Sequence, residues 1–298
     1  MADRLTMQDP RGQYPKPPFG EQPQPVPGLA RDMSPRPDHG EESYRGSGKL
    51  AGRRALVTGG DSGIGRAAAI AFAREGADVA IGYLPAEEAD ASEVIALIGA
   101  EGRVAAALPG DVSVEAFARD LPRLAAEALG GLDVLVINAG HQQSRDALAN
   151  VTSAEFDETM KVNLYALFWT TQAALPLMPP GSSIITTSSV QAYDPSASLI
   201  HYATTKAGMV AYTKALAQQT LKLGIRANVV APGPFWTALQ SSGGQPPEKV
   251  DTFGSGSAYG RPGQPVEIAP AYVLLASQEG SYMNGEVLAV TGGSGSVA

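Results

Sequence analysis

Tyr202 and Lys206 lie four positions apart in the segment Tyr202-Ala-Thr-Thr-Lys206. The surrounding sequence predicts a helix, on which residues at this spacing share one face, so the ammonium can stand near the phenol. A nearby cation favours the phenolate and lowers the tyrosine pKa from its usual value of about 10. Tyr202 can then act as a general acid or base near neutral pH. Such a pair also arises often by chance, so it needs support from the rest of the chain.

Two further polar residues are candidates to complete a catalytic set. Ser189 stands thirteen residues before Tyr202, just after a predicted strand, where α/β folds bind ligands. Its neighbour Ser188 is a rival for the same role. Asn163 lies within an otherwise apolar predicted helix, and a buried asparagine must be hydrogen-bonded. It is therefore either a structural residue or part of a polar relay.

A glycine-rich segment, Thr58-Gly-Gly-Asp-Ser-Gly-Ile-Gly65, lies between the first predicted strand and the first predicted helix. Glycine permits a tight turn and a close approach of the backbone to a pyrophosphate. The N-terminus of the following helix offers free N–H groups and a partial positive charge. The turn therefore indicates a dinucleotide site, although its spacing is G-x-x-x-G-x-G. The predicted cofactor contacts in it are Gly59, Asp61, Ser62, Gly63, Ile64, Gly65 and Arg66.

Alternating strands and helices must position these residues. Short apolar runs predict strands at 55–58, 78–81, 103–108, 133–137, 183–187, 226–230 and 286–290. Helices are predicted at 66–75, 89–100, 114–128, 153–177, 201–223 and 266–276. This alternation predicts a parallel sheet covered by helices on both faces. With right-handed crossovers, the expected fold class is α/β, a doubly wound parallel β-sheet of the Rossmann type, in a single domain over residues 49–298.

Residues 1–48 differ from the rest in being rich in proline, glutamine and charge, and we treat them as an N-terminal arm. Proline donates no backbone hydrogen bond and favours polyproline II or coil. The arm is either a disordered tail or a segment that docks on a folded surface. Its spaced apolar residues favour docking of part of it on this domain or on a neighbouring subunit, with the first residues loose. These residues are Phe19, Val26, Leu29 and Met33.

Composition excludes several classes of function. The chain has 298 residues, a net charge of −8 and no cysteine. The acidic balance argues against a nucleic-acid-binding surface. Without cysteine there are no disulfides, thiolate nucleophiles or Cys-ligated metals, and the histidines are too scattered to suggest a zinc site, so we expect no metal. No apolar stretch has the length of a membrane span or the pattern of a signal peptide, so we expect a cytoplasmic protein that does not bind membranes.

The chain resembles the short-chain dehydrogenase/reductase family over about residues 52–293, because a set of motifs occurs jointly and in the family's order. The motifs are Thr58 to Gly65, Gly110-Asp-Val112, Asn138-Ala-Gly140, Asn163, Ser189, Tyr202-x-x-x-Lys206, and Pro232-Gly-Pro234 with Thr237. The glycine turn and the proline-rich leader look like those of a bacterial subgroup that includes stress-associated oxidoreductases and aldehyde reductases.

The resemblance implies a role for each matching residue. Tyr202 is the proton donor or acceptor, and Lys206 binds the nicotinamide ribose and lowers the Tyr202 pKa. Ser189 positions the substrate oxygen, and Asn163 anchors a water in a proton relay. The implied cofactor contacts are the motif glycines with the pyrophosphate, Asp111 and Val112 with the adenine, Asn138, Ala139 and Gly140 with the adenosine ribose, and Pro232, Gly233 and Thr237 with the nicotinamide amide. Family members are usually tetramers, so we expect a homotetramer.

The expected function is hydride transfer between nicotinamide and a small-molecule aldehyde or ketone, or the matching alcohol. The alternatives are a catalytically silent dinucleotide-binding sensor or scaffold, and a dedicated sugar or 3-oxoacyl reductase on the same fold. The expected cofactor is NADP or NAD, with a slight lean to NADP. The second strand ends in Ile81-Gly-Tyr-Leu84, with no acid until Glu87 to bind the ribose of NAD. Arg66 can approach a phosphate, although Glu87, Glu88 and Asp90 place negative charge nearby.

The segment 235–263, which we call the lid, is rich in Gly, Ser and Pro. We expect it to be a mobile cover over the site, with a plain surface loop as the alternative. Phe235 departs from the small aliphatic residue of many relatives. Candidate walls of the substrate pocket are Phe235, Trp236, Tyr193, His141 and Gln142.

Overall fold

The computed structural model describes residues 5–294, and within that range seven strands form one sheet flanked by helices. The strands are β1 Arg54–Thr58, β2 Asp78–Tyr83, β3 Ala105–Pro109, β4 Val134–Ile137, β5 Ser183–Thr187, β6 Arg226–Pro232 and β7 Val287–Val290. The helices are α1 Gly63–Arg74, α2 Glu88–Ala100, α3 Glu115–Leu129, α4 Ser153–Met160, α5 Ala166–Ala174, α6 Ile200–Thr220, α7 Pro247–Asp251 and α8 Pro265–Ala276. None of these helices is long and apolar enough to cross a membrane.

All neighbouring strands are parallel, and their order is β3-β2-β1-β4-β5-β6-β7. The chain first winds outward from β1 to β3 and then crosses back to β4 on the other side of β1. In such sheets, ligands bind outside the carboxyl ends of the strands at the point where the winding reverses. The predicted fold class is confirmed, and it fixes where a site must lie.

Two apolar layers hold the sheet between its helices. Ala55 and Val57 on β1 belong to the cluster that includes buried residues of α1, α2 and α8. Leu56 points the other way, into the cluster that includes buried residues of α3, α5 and α6. Because successive strand residues face opposite sides, burial on both faces requires the continuous apolar runs seen in the sequence.

Two helix boundaries differ from the prediction in ways that matter for the site. Helix α1 begins at Gly63 rather than residue 66, because the end of the glycine turn already makes helical bonds: the Arg66 N–H donates to the Ser62 carbonyl at 3.0 Å. The predicted helix over 153–177 contains a π-helical turn, Lys161–Tyr165, between α4 and α5. Such turns widen a helix locally and often occur at functional sites.

The N-terminal arm lies along the domain over its described part, residues 5–48. Its Ala30 and Met33 are buried, and its carbonyl groups accept hydrogen bonds from the body of the fold. Arg74 donates to the Gly40 carbonyl at 2.6 Å, and the Trp236 indole donates to the Pro35 carbonyl at 2.8 Å. Residues 1–4, part of the stretch expected to be loose, lie outside the described residues.

Candidate active site

A cavity of about 690 Å³ opens at the carboxyl ends of β1 to β6, within the size range of small-molecule and cofactor sites. Sixteen of the predicted site residues line it. They are Gly59, Asp61, Ser62, Gly63, Ile64, Asp111, Val112, Asn138, Ala139, Gly140, Ser189, Tyr202, Lys206, Pro232, Gly233 and Thr237. Gly65, Arg66 and Asn163 are not part of its wall.

The glycine turn shapes one end of the cavity. Gly59 and Gly63 have φ values of +63° and +54°, a backbone region that disfavours other residues. A Cβ atom on Gly65 would collide with the Gly59 carbonyl oxygen, so Gly65 serves the packing of the turn rather than the wall. Ser62 occupies the N-cap of α1 without making a capping hydrogen bond in the described chain. The first N–H groups of α1 therefore fit a pyrophosphate.

Thr58 fixes the turn to the next strand of the cleft. Its hydroxyl oxygen accepts hydrogen bonds from the backbone N–H groups of Asn138 at 2.9 Å and Ala139 at 3.1 Å. The Asn138 amide in turn donates to the Gly59 carbonyl at 3.1 Å. These bonds lock the ends of β1 and β4 side by side. The sequence alone predicts no contact for the Thr58 side chain, because only the pairing of β1 with β4 brings these atoms together.

Tyr202 and Lys206 are both buried on α6, with the ammonium 5.3 Å from the centre of the phenol ring. Lys206 Nζ donates to the Thr187 carbonyl at 2.8 Å. Burial raises the pKa of Tyr202 to about 12, although a hydrogen bond with Ser189 opposes that rise, and burial lowers the pKa of Lys206 to about 7. Among the protein groups alone, desolvation thus outweighs the expected effect of Lys206 on the Tyr202 pKa.

The two adjacent serines after β5 have different partners. The Ser188 hydroxyl donates to the Lys206 carbonyl at 2.8 Å, so its proton is committed to the backbone of α6. Ser189 accepts a hydrogen bond from the Gln191 N–H at 3.1 Å and also bonds Tyr202. Ser189 therefore presents its hydroxyl to the reacting end of the cavity, whereas Ser188 holds α6 against β5.

Asn163 lies on the π-helical turn behind the cavity wall. Its amide Nδ2 donates to the His141 carbonyl and to Thr205 Oγ1, both at 2.9 Å, and its Oδ1 accepts from the His141 N–H at 2.7 Å. These bonds hold the segment that follows β4. The structural interpretation of Asn163 is supported by them, and the water-binding role stays a prediction.

Arg66 does not reach the cavity, contrary to the contact expected from its place after the motif. Its guanidinium is buried and donates to Glu41 Oε1 of the arm at 3.1 Å and to Glu93 Oε2 of α2 at 3.0 Å. The carboxyl groups of Asp61 and Glu87 line the cavity instead. This difference depends on Glu41, whose contact with α1 no local sequence pattern shows.

The lid is folded against the arm. It contains a π-helical turn, Gln240–Gly244, as well as α7. Of the candidate pocket walls, Phe235, His141 and Gln142 line the cavity, and Trp236 and Tyr193 do not. Trp236 is fully buried with its ring 4.3 Å from the Phe19 ring of the arm.

The arm also reaches the cavity directly, a contact that no sequence pattern predicts. Residues 26–28, Val-Pro-Gly, form part of its wall. They carry no group with recognisable chemistry, so only their position in the fold reveals them.

Comparison with known proteins identifies a family and close relatives. The sequence profile of the family described as enoyl-(acyl carrier protein) reductase matches residues 59–295. The Escherichia coli protein named uncharacterized oxidoreductase YghA is 56% identical over 287 residues, which span 96% of this chain and 98% of that protein. NADPH-dependent aldehyde reductase 1, chloroplastic, of Arabidopsis thaliana is 40% identical over 273 residues, 90% of this chain and 94% of that protein. The crystal structure of a short-chain dehydrogenase from Burkholderia cenocepacia in complex with NADP superposes with a TM-score of 0.76 at 36% identity, covering 82% of this chain and 98% of that chain.

Proposed function

Because the chain belongs to the short-chain dehydrogenase/reductase family and is an oxidoreductase of that family, we propose that it transfers a hydride between nicotinamide and a small aldehyde or ketone, or the matching alcohol. One observation carries the proposal. The Tyr202 phenol, the Ser189 hydroxyl and the Lys206 ammonium line the same cavity as the glycine turn that fits a pyrophosphate. A reacting carbon and a dinucleotide can therefore share one site.

The cavity fits a nicotinamide dinucleotide. The first turn of α1 suits the pyrophosphate, and Pro232, Gly233 and Thr237 suit the nicotinamide end. When bound, the nicotinamide supplies or accepts the hydride. We propose that both NADP and NAD bind. A lean to NADP draws support from the NADP complex of the Burkholderia cenocepacia dehydrogenase and from the NADPH-dependent Arabidopsis thaliana relative, and no longer from Arg66.

The protein groups supply the proton and the orientation. In the direction of reduction, the Ser189 hydroxyl donates a hydrogen bond to the carbonyl oxygen, and Tyr202 gives that oxygen its proton as the carbon receives the hydride. Oxidation of the alcohol runs the same proton transfer in reverse. Lys206 stands 5.3 Å from the phenol ring, and its protonated form would stabilise a Tyr202 phenolate. Because burial lowers the Lys206 pKa to about 7, that form predominates only below this pH.

The homotetramer stays a prediction. Large apolar side chains are exposed on three consecutive helices, and they support association with further copies of the chain. Examples are Phe156 on α4, Phe168 on α5 and Ile200 on α6.

A turnover screen tests the proposed activity. The purified full chain is offered aldehydes, ketones, secondary alcohols, sugars and 3-oxoacyl thioesters with each of the two cofactors, and nicotinamide absorbance is followed. We expect turnover of simple carbonyl compounds. Turnover confined to sugars or thioesters would favour the dedicated reductases, and dinucleotide binding without any turnover would favour the silent sensor.

Replacement of Tyr202 by phenylalanine tests the assigned proton donor. Tyr202→Phe should abolish almost all turnover and leave dinucleotide binding near normal, because only the hydroxyl handles the proton. The measurements are kcat and a direct titration with the dinucleotide. Tyr212→Phe is the matched control: this hydroxyl also lies on α6, but it bonds Thr171 at 2.7 Å outside the cavity wall, so turnover should persist. A Tyr202→Phe protein that keeps more than a few per cent of kcat would contradict the assignment.

A further inference from the structure

The end of the cavity beyond the glycine turn is formed by Tyr83 and Leu84 after β2 and by Asp111 and Val112 after β3. In doubly wound folds, the adenosine ribose of a dinucleotide lies near the end of the second strand, where a carboxylate commonly binds its hydroxyl groups. No carboxylate stands at the end of β2 here, since the chain continues as Tyr83-Leu84. Other residues must therefore face the ribose.

Besides Asp111, whose carboxylate accepts a hydrogen bond from the Ser113 N–H at 2.8 Å, two carboxyl groups occupy this end of the cavity. Asp61, in the glycine turn, is only 1% exposed and lines the cavity, and its Oδ2 has no hydrogen-bond partner among the described residues. Glu87, at the start of α2, also lines the cavity and accepts a hydrogen bond from the Leu84 N–H at 3.0 Å. An unpartnered buried carboxylate oxygen is costly, and a ribose hydroxyl would satisfy it.

Positively charged side chains are scarce in the wall of the cavity. Within the described chain, Lys206 is the single Lys or Arg residue that lines the cavity, and it stands beside Tyr202 at the catalytic end. Arg66 lowers the pKa of Asp61 through its charge, yet it remains outside the wall with its Nε and Nη2 on Glu41 and Glu93. The 2′-phosphate that distinguishes NADP from NAD would thus meet the carboxyl groups of Asp61 and Glu87, with that of Asp111 nearby, and no cavity-lining guanidinium.

We propose that Asp61 and Glu87 form a proton-linked subsite for the adenosine ribose, which accepts a ribose diol as carboxylates and holds a 2′-phosphate only after taking up protons. This inference rests on the proposed function. A carboxylate only accepts hydrogen bonds and repels a phosphate, whereas a protonated carboxyl donates one. The subsite thereby makes the choice between NAD and NADP a function of pH.

The arm runs across the cavity. We call residues 24–30 the strap. The Gln24 N–H donates to the Ser241 carbonyl of the lid at 3.0 Å, and the Ala30 N–H donates to Asp90 Oδ2 of α2 at 2.6 Å. Between these anchors residues 26–28 line the cavity, so the strap spans from the lid to α2. A strap in this position limits the access of water to the carboxyl groups that line the cavity, which favours their protonated forms.

The charges of neighbouring carboxylates also favour protonation of the pair, and the Arg66 charge opposes it at Asp61. Burial raises the pKa of Asp61 to about 6, and the Asp90 charge adds to the rise. Burial raises the pKa of Glu87 to about 8, and the charges of Asp61 and Asp90 add to it. The strap itself carries no titratable side chain. The other titratable groups nearby are Tyr83, which donates to Glu88, Arg66, which is held by Glu41 and Glu93, and Asp111, which accepts from the Ser113 N–H.

The sign of the pH dependence follows from linkage. Below the pKa of the free protein each carboxyl is already protonated, so NADP binding takes up no proton. Above that pKa, about 6 for Asp61 and about 8 for Glu87, the proton must be gained on binding. The affinity for NADP then falls about tenfold per pH unit for each proton taken up. Lys206 titrates near the nicotinamide, which both cofactors share, so its effect cancels in the ratio of their affinities.

The experiment measures the dissociation constants of NAD and NADP for the full chain by isothermal titration calorimetry from about pH 7 to about pH 9.5, where the phosphate itself has lost its last proton. We expect the affinity of NADP relative to NAD to fall at least tenfold over this range. Titrations in buffers of different ionisation enthalpy should show proton uptake with NADP and less with NAD.

Three variants test the assignment to the two carboxyl groups. In Asp61→Asn and Glu87→Gln the amide imitates a neutral acid, so each should flatten the pH dependence and strengthen NADP binding at high pH. Glu88→Gln is the matched control. This substitution removes the same charge from the neighbouring residue, which bonds Tyr83 and does not line the cavity. The pH dependence of its affinities should therefore match that of the chain without substitutions.

The outcomes separate this inference from the proposed function. If both dinucleotides bind and their affinity ratio is independent of pH, or if Glu88→Gln flattens the profile as much as the other two variants do, the inference is wrong and the proposed function stands. If neither dinucleotide binds, both are wrong. Thermal melting reports whether each variant is folded. If Asp61→Asn does not fold, the result for Glu87→Gln alone tests the inference, since Glu87 is the less buried of the two residues.

Discussion

The two adjacent serines in the site differ in the groups to which their hydroxyls are hydrogen-bonded. The hydroxyl proton of Ser188 is bound by the Lys206 carbonyl, whereas the hydroxyl of Ser189 faces Tyr202 and the cavity. A serine whose proton is already committed to the backbone cannot also donate to a substrate oxygen.

This difference predicts unequal effects of two substitutions. Ser189→Ala should lower kcat/KM on the order of 100-fold, the usual loss when one hydrogen bond to a reacting oxygen is removed. Ser188→Ala should change kcat/KM much less and should lower stability by about 1 kcal/mol through loss of a buried hydrogen bond. Steady-state kinetics and thermal melting of the two proteins provide the measurement. Equal losses of kcat/KM would mean that the wrong serine was assigned.

For single residues, the sequence predicts which side chains carry the chemistry better than it predicts which partners those side chains contact. The Tyr-x-x-x-Lys spacing and the glycine turn place their residues in one cavity, because the helix and the strand–helix turn impose local geometry. Arg66 was misplaced because Glu41, 25 residues earlier in the arm, binds it. Asp61 was named as a cofactor contact, but its unpartnered oxygen depends on three-dimensional packing.

Elements beyond the sheet depend on one another. The arm and the lid share a small apolar cluster in which Trp236 packs against Phe19 and Phe253, while its indole N–H donates to the Pro35 carbonyl. The lid, whose Gly, Ser and Pro content predicts a mobile cover, contains a π-helical turn and α7 and packs on apolar residues of the arm. Its mobility stays a prediction.

Removal of the central ring of this cluster should loosen both elements. Trp236→Ala should cost about 3–5 kcal/mol of folding free energy, the usual range for deleting a buried aromatic side chain. Denaturant unfolding gives the free energy, and limited proteolysis shows whether the arm is cut earlier. Tyr282→Ala is the control, since that side chain is fully exposed. Similar losses for the two variants would contradict a role of the cluster in holding the lid.

Elements with strong periodicity were the ones predicted well. The five inner strands are buried on both faces, which favours the short apolar runs that predict them, whereas the edge strands β3 and β7 are only partly buried. The π-helical turn at Lys161–Tyr165 was not found, because one extra residue in a helical turn leaves no mark in an apolar pattern. The contacts of the arm were equally invisible, since they join residues far apart in sequence.

For the whole molecule, the arm is a second layer of stabilisation around a complete dehydrogenase fold. Arg261 of the lid is fully buried and donates to the Pro10 carbonyl at 2.8 Å as well as to Glu267. Phe19 of the arm donates its N–H to the Asp251 carbonyl at 3.0 Å. The arm thus fastens the lid without contributing a catalytic group.

A shortened chain that starts at Ser47 tests this view. It should melt at a lower temperature and bind dinucleotide more weakly, because the lid loses its partner and the cavity loses residues 26–28. Its kcat with saturating cofactor should remain, since the proposed catalytic residues follow β5 (Ser189) or lie on α6 (Tyr202 and Lys206), outside the arm. Melting, light scattering and turnover are compared with those of the full chain. Unchanged melting and assembly would show a passive tail, and a collapse of kcat in a folded, assembled protein would reveal a catalytic role.

The distance along the chain between the arm and its partners has a consequence for biosynthesis. The hydrogen bond between Arg261 and Pro10 joins residues 251 positions apart. At roughly 5–20 residues translated per second, Pro10 leaves the ribosome on the order of 10–50 s before Arg261. The arm residues that pack on the lid wait without those partners for that time, whereas Gly40 and Ala30 meet Arg74 and Asp90 much earlier. The contacts between arm and lid are therefore among the last to form, and the cavity acquires its strap only when the lid has been made.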